Sequence, residues 1–505
     1  MLTKIITNMK HKNILSITTL VFLLLSCTDV TENVYDKYAA SDFYGTSEGA
    51  NAALAGVYAQ VAGNWNGVGY AGADNGWYDV NENSSDEQVI PHRNDGNWQT
   101  DFAILHQHEW LPSHAYITNT WNWLYRSVFE ANKAIELLEG ANADVDKIAE
   151  AKVLRAFFYY LLIDDFGDVP FYTENNVTVE QLPQQSRETV FNFIVDELTT
   201  NVENLRATKG GEYYGRFNRW AGYTLLAKVY LNAEVYTGTA RWEECLDICN
   251  KIIDEGGFSL HPGEANAASP LGFRYYELFG DVLPGDETIL AMFATRNVVS
   301  RNIISIRSLY GPHGTAAFGY SGWNGTIVPT PFYEMYDDDD IRKRQFLVGP
   351  QPGNVNYHLN VASLIDPGAD PQAGVRNVKF FPAGDNGGDG ASNDFPIYRY
   401  ADILLMKAEC LVRLDNAADA KPLVDEVRQR AGLDPLAAAP TIDDVYRERS
   451  LELNMEGHRR QDMIRFGTFL QPHWFKGQSP DHRKLFPIPT AALDANPNLE
   501  QNPGY

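Results

Sequence analysis

Apolar residues recur every three or four positions over long stretches at both ends of the chain. This spacing predicts amphipathic helices, because residues so placed share one helix face. Near the N-terminus Ala50, Leu54 and Val57 form such a stripe, and Thr46 is placed to cap the helix. The predicted helices are Ser47–Val61, Trp121–Leu138, Val145–Phe166, Arg187–Leu205, Phe217–Tyr236, Arg241–Asp254, Tyr400–Leu414, Ala417–Arg430 and Thr441–Asn454.

Several predicted helices form consecutive pairs with short connections. Residues 237–240 (Thr-Gly-Thr-Ala) join one pair, Gly256 and Gly257 end it, and Gly432 closes a later pair. Pairs of this size, with Ala, Leu and Tyr at contact positions, resemble tetratricopeptide repeats. The predicted fold class is therefore mostly α: a curved scaffold of tetratricopeptide-like helix hairpins that bury their apolar faces by stacking on neighbours.

Residues 63–115 and 256–398 interrupt this pattern. Both regions are rich in Gly, Asn, Asp, Pro and aromatic residues and show little periodicity. Loops this long in a compact protein are usually functional or disordered, and the density of aromatic residues argues against disorder. We therefore expect a loop-rich ligand-binding face carried by a helical scaffold.

The N-terminus carries an export pattern. Three lysines precede an apolar run over Ile14–Leu25, which is too short for a comfortable membrane span and predicts a signal peptide over residues 1–26. Residues 24–27 (Leu-Leu-Ser-Cys) resemble the bacterial lipobox, in which the peptide is cut before the cysteine and lipid is attached to its thiol. We expect lipidation of Cys27 and a tether over residues 27–45. An ordinary secretory signal with an incidental cysteine is the alternative.

The net charge limits the possible partners. The whole chain carries −25, and loss of residues 1–26 with their three lysines makes this −28. Such an acidic body repels the phosphates of nucleic acid, so no nucleic-acid partner is expected. Lipidation of Cys27 would leave Cys245, Cys249 and Cys410, an odd number. Cys245 and Cys249 lie one helical turn apart and are interpreted as small core residues.

The aromatic residues of the two irregular regions suit a sugar ligand. A sugar ring has apolar C–H faces and a rim of hydroxyls, so it needs a flat aromatic surface flanked by polar side chains. The first region supplies Trp65, Tyr70, Trp77, Tyr78 and Trp98 among many Asn and Asp residues. The second supplies Tyr310, Phe318, Tyr320 and Trp323 beside Ser321 and Asn324.

A group of glutamates near the C-terminus could indicate catalysis instead of binding. Glu448, Glu452 and Glu456 share one face of a predicted helix and could include an acid–base pair. We interpret them instead as members of an ion-pair network that ties the last helices together. Its predicted cations are Arg449, Arg459, Arg460 and Arg465. Arg155 and Asp168 are interpreted as structural in the same way.

Two clusters bear on metal binding. His106 and His108, with Glu109 and His114, form at most a partial site that lacks a fixed third ligand. The acidic run 337–340 lacks the spaced ligands of a calcium loop and is expected to cap the segment beginning at Ile341. No metal or cofactor is predicted, although a weak calcium site stays open.

Several sequence segments follow one another in a characteristic order along the chain. The strongest is AEAKVLRAFFYY at 149–160, which continues to FGDVP at 166–170. The others are DFY at 42–44, WLYR at 123–126, YRYADILLM at 398–406, VRQRAGL at 427–433, ERSLEL at 448–453, EGHRRQDMIR at 456–465, PIP at 487–489 and QNPGY at 501–505. By these segments and their order, the chain is identified as a member of the SusD/RagB family.

The resemblance implies a SusD-like fold, with residues 46–505 as one domain. Its helical scaffold would comprise 46–62, 116–255 and 399–467, and its ligand face 63–115 and 256–398. In this family the ligand aromatics lie in loops at about these two places, which points to Trp98 and the segment Tyr320–Asn324. The residues expected to bind ligand are Trp77, Arg93, Trp98, Tyr320, Trp323 and Asn324.

The resemblance also implies a function. It predicts a non-enzymatic, surface-exposed lipoprotein, held in outer-membrane lipid through Cys27, that binds an oligosaccharide or polysaccharide. It would deliver this glycan to a SusC-like TonB-dependent β-barrel transporter. The RagB branch, which serves peptide uptake, is the alternative, although tryptophan-rich loops favour sugar. A glycoside hydrolase is a third hypothesis. A pure helical-repeat scaffold would explain neither the lipobox nor the aromatic loops.

Overall fold

The computed structural model describes residues 40–63, 68–71, 74–93, 98–178, 181–299 and 301–505. The predicted signal peptide, Cys27 and Trp65 lie outside these residues. The helices up to residue 255 are α1 (Ala40–Tyr44), α2 (Ser47–Ala62), α3 (Trp77–Asn83), α4 (Asp101–Gln107), α5 (Ala115–Gly140), α6 (Val145–Phe166), α7 (Arg187–Asn201), α8 (Arg219–Leu231), α9 (Ala233–Thr237) and α10 (Trp242–Glu255).

Helices resume beyond residue 300 and again dominate the C-terminal part. They are α11 (Ile304–Ser308), α12 (Gly311–Phe318), α13 (Thr330–Tyr333), α14 (Tyr400–Arg413), α15 (Ala417–Arg430), α16 (Ile442–Glu452), α17 (Arg459–Arg465) and α18 (Thr490–Ala495). Within the described ranges no helix has both the length and the apolar character needed to cross a membrane.

Helix ends follow the capping residues that the sequence offers. The Thr46 hydroxyl accepts a hydrogen bond from the Gly49 backbone N–H at 3.1 Å, as predicted for the start of α2. Gly167 ends α6 and Gly238 ends α9, each at φ +75°, a backbone conformation that favours glycine. Thr441 and Asp444 form a reciprocal capping box at the start of α16.

The predicted helix hairpins are present. Helix α5 packs on α6, α8 on α10, and α14 on α15, while α10 also packs on α14 and so joins two of the pairs. Helix α6 lies at the centre. All residues from Ala149 to Phe166 except Lys152 are buried. A helix that is covered on every side needs no polar stripe, which explains the unbroken apolar run over residues 156–163.

Two predicted helices end earlier than expected. The segment Phe217–Tyr236 is divided at Asn232, whose side chain donates to the Lys228 carbonyl at 2.9 Å and accepts from Arg465 at 2.9 Å. Helix α16 ends at Glu452, followed by Met455 at φ +59°. Glu456 therefore lies beyond the helix that was predicted to carry it.

The two irregular regions contain more regular structure than predicted. Short helices α3, α4 and α11–α13 lie in them. The strands of the described residues occur in two-stranded pairs. The strands are β1 (Val169–Pro170), β2 (Gln184–Gln185), β3 (Thr288–Met292), β4 (Phe346–Leu347), β5 (Gly349–Gln351), β6 (Val355–Tyr357), β7 (Arg376–Asn377), β8 (Asn386–Gly387), β9 (Gly390–Ala391) and β10 (Phe395–Arg399).

The second irregular region is anchored to the scaffold through one of these pairs. Strand β3 pairs antiparallel with β10, with Met292 opposite Phe395, and both strands are wholly buried. Strand β10 runs directly into α14. The region between these strands is therefore held at both ends by the core, and the cleft described below is built from it.

Cys245 and Cys249 are confirmed as core residues, and Cys410 joins them there. Cys245, Cys249 and Cys410 are free thiols and fully buried. Burial raises the pKa of the Cys245 thiol well above its usual value, which keeps it protonated and poorly reactive.

Candidate functional site

A cleft of about 720 Å³ lies in the second irregular region, beside one residue of the first. Its walls come from the start of α12, the segment that follows α12, a proline- and glycine-rich turn, and the β8–β9 hairpin. The lining residues are Arg93, Tyr310, Gly311, Ser321, Gly322, Trp323, Asn324, Pro367, Gly368, Ala369, Pro371 and Gly388. Three of the six residues predicted to bind ligand, Arg93, Trp323 and Asn324, are thus brought together.

Trp323 is held in one orientation. Its indole Nε1 donates to the Gly388 carbonyl at 2.9 Å, and its backbone N–H donates to the Ile306 carbonyl at 2.9 Å. The Arg301 guanidinium lies 5.8 Å from the ring centroid. Since the indole N–H is already used, the ring can offer a ligand only its apolar face. A ring fixed before binding loses little conformational entropy on contact with a ligand.

Trp98 supports Trp323 from behind. Its Nε1 donates to the Trp323 carbonyl at 2.6 Å, and the two ring centroids are 6.4 Å apart. Gly325 makes this packing possible, because a Cβ there would lie 2.8 Å from Trp98 Cε2. Only 5% of Trp98 is exposed, and it does not line the cleft. Trp98 therefore supports Trp323 in this structure, and its direct contact with a ligand stays a prediction.

Asn324 joins the two irregular regions. Its backbone carbonyl accepts a hydrogen bond from Arg93 Nε at 3.3 Å, and its Oδ1 accepts one from Arg376 Nη2 at 3.0 Å. Arg93 Nη1 also donates to the Asp370 carbonyl at 3.2 Å. Asn324 adopts φ +55°, a left-handed conformation that asparagine tolerates better than most residues. Arg93 therefore ties the floor of the cleft to its far wall.

Trp77 lies elsewhere, away from the cleft that holds Trp323, and its contact with a ligand stays a prediction. Helix α3 is drawn into the core, where Trp77 is 4% exposed and stacks on Tyr70 with centroids 4.3 Å apart. A Cβ on Gly457 would lie 3.2 Å from the Trp77 ring. The sequence counted Trp77 as a loop aromatic because this short helix shows too few turns to reveal its buried face.

Tyr320 lies near the rim of the cleft without lining it. The ring is half-buried and stacks on Phe318, with centroids 6.1 Å apart. Its Cβ is 3.9 Å from the position that a Cβ on Gly388 would take. Burial raises the pKa of Tyr320 to about 12, so its hydroxyl stays protonated and can donate.

Sequence reasoning missed the far wall and the layer behind the floor. The turn at Pro367–Pro371 and Gly388 contribute mainly backbone, and backbone groups leave no chemical signature in a sequence. Arg376 is fully buried in β7 and reaches Asn324 from 52 positions away. Only its place as a cation between the apolar residues Val375 and Val378 could have drawn attention to it.

The histidines considered as partial metal ligands point to different partners. His106 contacts the Trp474 carbonyl at 2.7 Å, His108 the Ser84 carbonyl at 2.8 Å, and His114 the Asp101 carbonyl at 3.2 Å. Burial lowers the pKa of His106 to about 4. Across the described part of the chain, no three His, Cys, Asp or Glu residues are grouped so as to hold a metal ion.

The acidic run at 337–340 caps a helix, as predicted. Asp340 precedes a 3₁₀ turn at Ile341–Gln345 and accepts a hydrogen bond from the Arg342 backbone N–H at 2.9 Å. Asp338 pairs with Lys343 at 2.7 Å on the surface.

Glu448, Glu452 and Glu456 form a buried ion network, as predicted, but with other partners. Glu452 pairs with Arg342, Arg399 and Arg430, and Glu456 with Arg399 and Lys379. The predicted cations pair with other carboxylates. Arg449 pairs with Asp402 and Asp462, and Arg465 pairs with Glu409 and Asp462. Arg459 pairs with Asp86, and Arg460 pairs with Asp164 and Asp165. Burial raises the pKa of Glu452, but Arg430, Arg399, Arg342 and Lys379 outweigh it and hold that pKa far below its usual range. A carboxylate that cannot be protonated is unsuited to general acid catalysis.

The two residues interpreted as structural are also paired. Arg155 Nε donates to Glu197 at 2.8 Å, and Asp168 accepts from the Arg187 backbone N–H at 2.7 Å. The first contact joins α6 to α7, and the second joins the turn after α6 to the start of α7.

Comparison with known proteins decides the family. The family model described as the SusD family matches residues 313–505, which include most of the cleft. A second, described as starch-binding associating with outer membrane, matches residues 57–231. The chain belongs to the SusD/RagB family. The predicted family is thereby confirmed.

Relatives of this SusD/RagB protein match it along most of its length. SusD-like protein P25 of Formosa agariphila is 26% identical and covers 98% of this chain and 100% of its own. Starch-binding protein SusD of Bacteroides thetaiotaomicron is 24% identical and covers 81% of this chain and 82% of its own. The names of these relatives are those of SusD-like and binding proteins.

Solved structures confirm the mostly α, SusD-like fold. Surface glycan-binding protein A from Bacteroides thetaiotaomicron, solved in complex with laminarihexaose, is 21% identical and superposes with a TM-score of 0.73 over 90% of this chain and 99% of its own. A SusD homolog from the same organism is 21% identical, with a TM-score of 0.75 over 92% and 98%.

Proposed function

We propose that this SusD/RagB-family protein binds an oligosaccharide or polysaccharide in the cleft around Trp323. It does so on the outer surface of the cell, anchored in outer-membrane lipid through Cys27. It delivers the glycan to a SusC-like TonB-dependent β-barrel transporter.

The observation that carries this proposal is the fixed face of Trp323 beside polar side chains. Arg93, Ser321 and Asn324 lie around the ring in the same cleft, and Tyr310 lines its wall. A sugar ring needs an aromatic surface for its C–H faces and polar groups for its hydroxyls. A cleft of about 720 Å³ has room for several sugar units and is within the usual size of ligand sites.

The relatives support the same class of ligand and the same place in the cell. One is named for binding starch, and a protein of the same fold was solved in complex with laminarihexaose. One of the matching family models carries association with the outer membrane in its description. The lipobox-like residues before Cys27 support a lipid anchor on the exported chain.

Binding without catalysis is the form of activity that the arrangement supports. Glycoside hydrolysis usually needs two carboxyl groups about 5–10 Å apart across the scissile bond. In the part of the chain that the structure describes, no Asp or Glu lines the cleft. The carboxylates of Glu448, Glu452 and Glu456 are buried in ion pairs instead.

Affinity electrophoresis against a panel of soluble polysaccharides tests the proposal. Residues 28–505 should be retarded by one class of glycan, and Trp323→Ala should lose most of this retardation while its circular dichroism is unchanged. Trp242→Ala is the matched control, because Trp242 is also half-buried but lies on α10, where Arg413 packs over its ring. This variant should be retarded like the unaltered chain.

Other outcomes would move the protein to another class. Retardation by no glycan, together with binding to a peptide library, would assign it to the peptide-importing branch of the family. Release of reducing sugar from a glycan that binds would make it a hydrolase.

A further inference from the structure

A second pocket, of about 280 Å³, is formed by α5, the segment around β1 and the C-terminal part of the chain. The first half of α5 contributes Trp121 and Tyr125, and Tyr172 follows β1. Helix α18 contributes Ala495. None of the described residues that line this pocket also lines the cleft around Trp323, so the pocket is a separate site.

The lining is mainly apolar and aromatic. Tyr125 and Tyr172 lie nearly parallel, with ring centroids 6.4 Å apart and 11° between the ring planes. Trp121 contacts Tyr125, with centroids 4.8 Å apart. The Tyr125 hydroxyl donates to the Pro170 carbonyl at 2.8 Å, and the Tyr172 backbone N–H donates to the Tyr159 hydroxyl at 3.0 Å. Aromatic surfaces held in this way lose little conformational entropy when a ligand covers them.

The lining has few polar groups, and most of them are used. Asn496 Nδ2 donates to the Leu182 carbonyl at 2.9 Å, and its Oδ1 accepts from the Asn498 backbone N–H at 3.0 Å. The Thr118 hydroxyl donates to the His114 carbonyl at 3.2 Å. In the part of the chain that the structure describes, no Asp, Glu, Lys or Arg lines the pocket. The hydroxyls of a sugar would therefore find few partners here.

Two donors beside the rings are unused. Within the described residues, neither the Trp121 indole N–H nor the Tyr172 hydroxyl forms a hydrogen bond, although Trp121 is only 6% exposed. Burial raises the pKa of Tyr172 to about 12, so its hydroxyl stays protonated. Asn122, which also lines the pocket, is exposed and can bond to water. Five other tryptophans donate their indole N–H to an oxygen of the protein: Trp98, Trp110, Trp123, Trp220 and Trp323.

We propose that this pocket binds an aryl group that carries an acceptor oxygen, as in an aryl-substituted ester. The ring packs on Tyr125 and Tyr172, and the oxygen accepts from Trp121, whose largely buried N–H is costly to leave unpaired. An apolar cavity of about 150 Å³ already holds benzene, so this pocket has room for a substituted ring. Free aromatic compounds and aryl esters borne by a glycan both offer this chemistry. The inference goes beyond the proposed function and does not depend on the cleft.

Two matched esters test the preference for an aromatic ring. In saturation-transfer NMR with the mature chain, residues 28–505, methyl 3-phenylpropanoate should bind with a Kd on the order of 1 mM. Methyl 3-cyclohexylpropanoate should bind about three- to tenfold more weakly, because it has the same oxygens but no aromatic face. Equal binding of the two esters overturns the preference for an aryl group, and binding of neither overturns the whole inference.

Two variants locate the binding. Trp121→Phe keeps a ring but removes the N–H, so it should weaken methyl 3-phenylpropanoate about fivefold and leave ethylbenzene, which has no oxygen, unchanged. Ala495→Trp adds an indole to the lining at an exposed position and should abolish binding of both. Trp242→Phe is the matched control, because Trp242 lies on α10 and does not line the pocket. Equal weakening of both compounds in Trp121→Phe overturns the hydrogen bond, and binding that survives Ala495→Trp overturns the location.

A Trp323→Ala background separates this site from the cleft and identifies the source of the aryl group. Affinity electrophoresis compares feruloylated arabinoxylan with the same polymer after alkaline removal of its esters. Retardation by the esterified form alone supports aryl groups borne by a glycan. Retardation by neither form, with methyl 3-phenylpropanoate still bound, supports free aromatic compounds.

The remaining outcomes distinguish the two proposals. Retardation of Trp323→Ala by both polymers, lost when Ala495→Trp is added, would make the pocket a second sugar site and overturn the aryl assignment. The proposed function fails independently, when no glycan of any kind retards the unaltered chain.

Discussion

Buried arginines occur in two places in this protein, and they are stabilised in different ways. Beneath the C-terminal helices, Arg342 and Arg399 are 0–1% exposed, and each meets at least two carboxylates. Behind the cleft, Arg376 is as deeply buried but meets an asparagine, a backbone carbonyl and a tyrosine ring. A buried charge far from any counter-ion is costly and must be offset by hydrogen bonds.

The difference separates the two roles of the molecule. The ion network joins segments that are far apart in sequence: Glu287 in the second irregular region, Arg399 before α14, and Glu452 at the end of α16. The charges named there are paired with one another inside the protein. Behind the cleft, Arg376 is held by neutral groups instead. The four predictions below test this contrast.

Breaking the network should have the largest effect. Arg399→Met removes the partner of Glu287, Glu452 and Glu456 and leaves three buried carboxylates short of a cation, which should lower the free energy of unfolding by about 3–5 kcal/mol. Urea denaturation measures it. Arg447→Met is the control, because Arg447 is 46% exposed in its side chain and lies 3.8 Å from Asp337. Its cost should be about 1 kcal/mol or less. Equal costs would contradict the network's role.

Disturbing the support of the cleft should cost less stability but more binding. In Gly325→Ala the new Cβ would meet Trp98 at 2.8 Å, so the ring must move, at about 1–3 kcal/mol. Because Trp98 donates to the Trp323 carbonyl, glycan retardation should fall as well. Gly140→Ala places its Cβ in open space and should change neither property. Unchanged binding in Gly325→Ala would show that Trp98 does not position Trp323.

A third prediction concerns two buried carboxyl groups that lack the network's cations. Glu82 and Glu87 are 1% exposed and accept from the backbone N–H groups of Gly457 and Met455, each at 2.7 Å. Burial, and then the neighbouring Glu87, raise the pKa of Glu82 well above its usual value.

A raised pKa fixes the sign of the pH effect. The stability from protonated Glu82 is fully present below the ordinary carboxyl pKa and is lost as pH rises through the raised pKa. Glu82→Gln stays neutral, so its free energy of unfolding should fall less steeply with rising pH than that of the unaltered chain. Urea denaturation over pH 5–9 measures the two slopes, and parallel slopes would contradict a protonated Glu82.

The smallest effect is expected at the rim of the cleft. Tyr320 stacks on Phe318 and does not line the cleft, so Tyr320→Ala should weaken glycan binding by at most about 0.5–1 kcal/mol, or two- to fivefold in Kd. Titration with the glycan that is bound most tightly measures this. A loss as large as that in Trp323→Ala would place Tyr320 in direct contact with ligand.

Much of the scaffold could be predicted from the sequence. Helices α6 and α15 have the predicted bounds, and Thr46 caps α2 as its side chain indicated. Periodicity and caps are local properties, so they survive folding largely unchanged. The prediction of one continuous helix over Phe217–Tyr236 failed at Asn232. The side chain of Asn232 accepts a hydrogen bond from Arg465, a distant residue, and no local pattern indicates this contact.

The cleft could be predicted only in part. Aromatic and amide residues in irregular regions indicated a sugar site, and Arg93, Trp323 and Asn324 do meet in one cleft. The composition of a loop does not predict, however, which of its aromatic rings are buried by other residues and which are exposed to a ligand. Trp77 and Trp98 are equally aromatic in sequence, yet one is buried in the core and the other behind Trp323.

The sequence by itself determined the family, the helix hairpins and the kinds of residue that a sugar site needs, because each rests on local pattern or on motifs in a fixed order. Tertiary structure alone decided which carboxylates are neutralised, which tryptophan is presented, and that Arg376 lies behind Asn324. Those outcomes depend on contacts between residues tens to hundreds of positions apart, and their energy comes from burial, which only the folded chain creates.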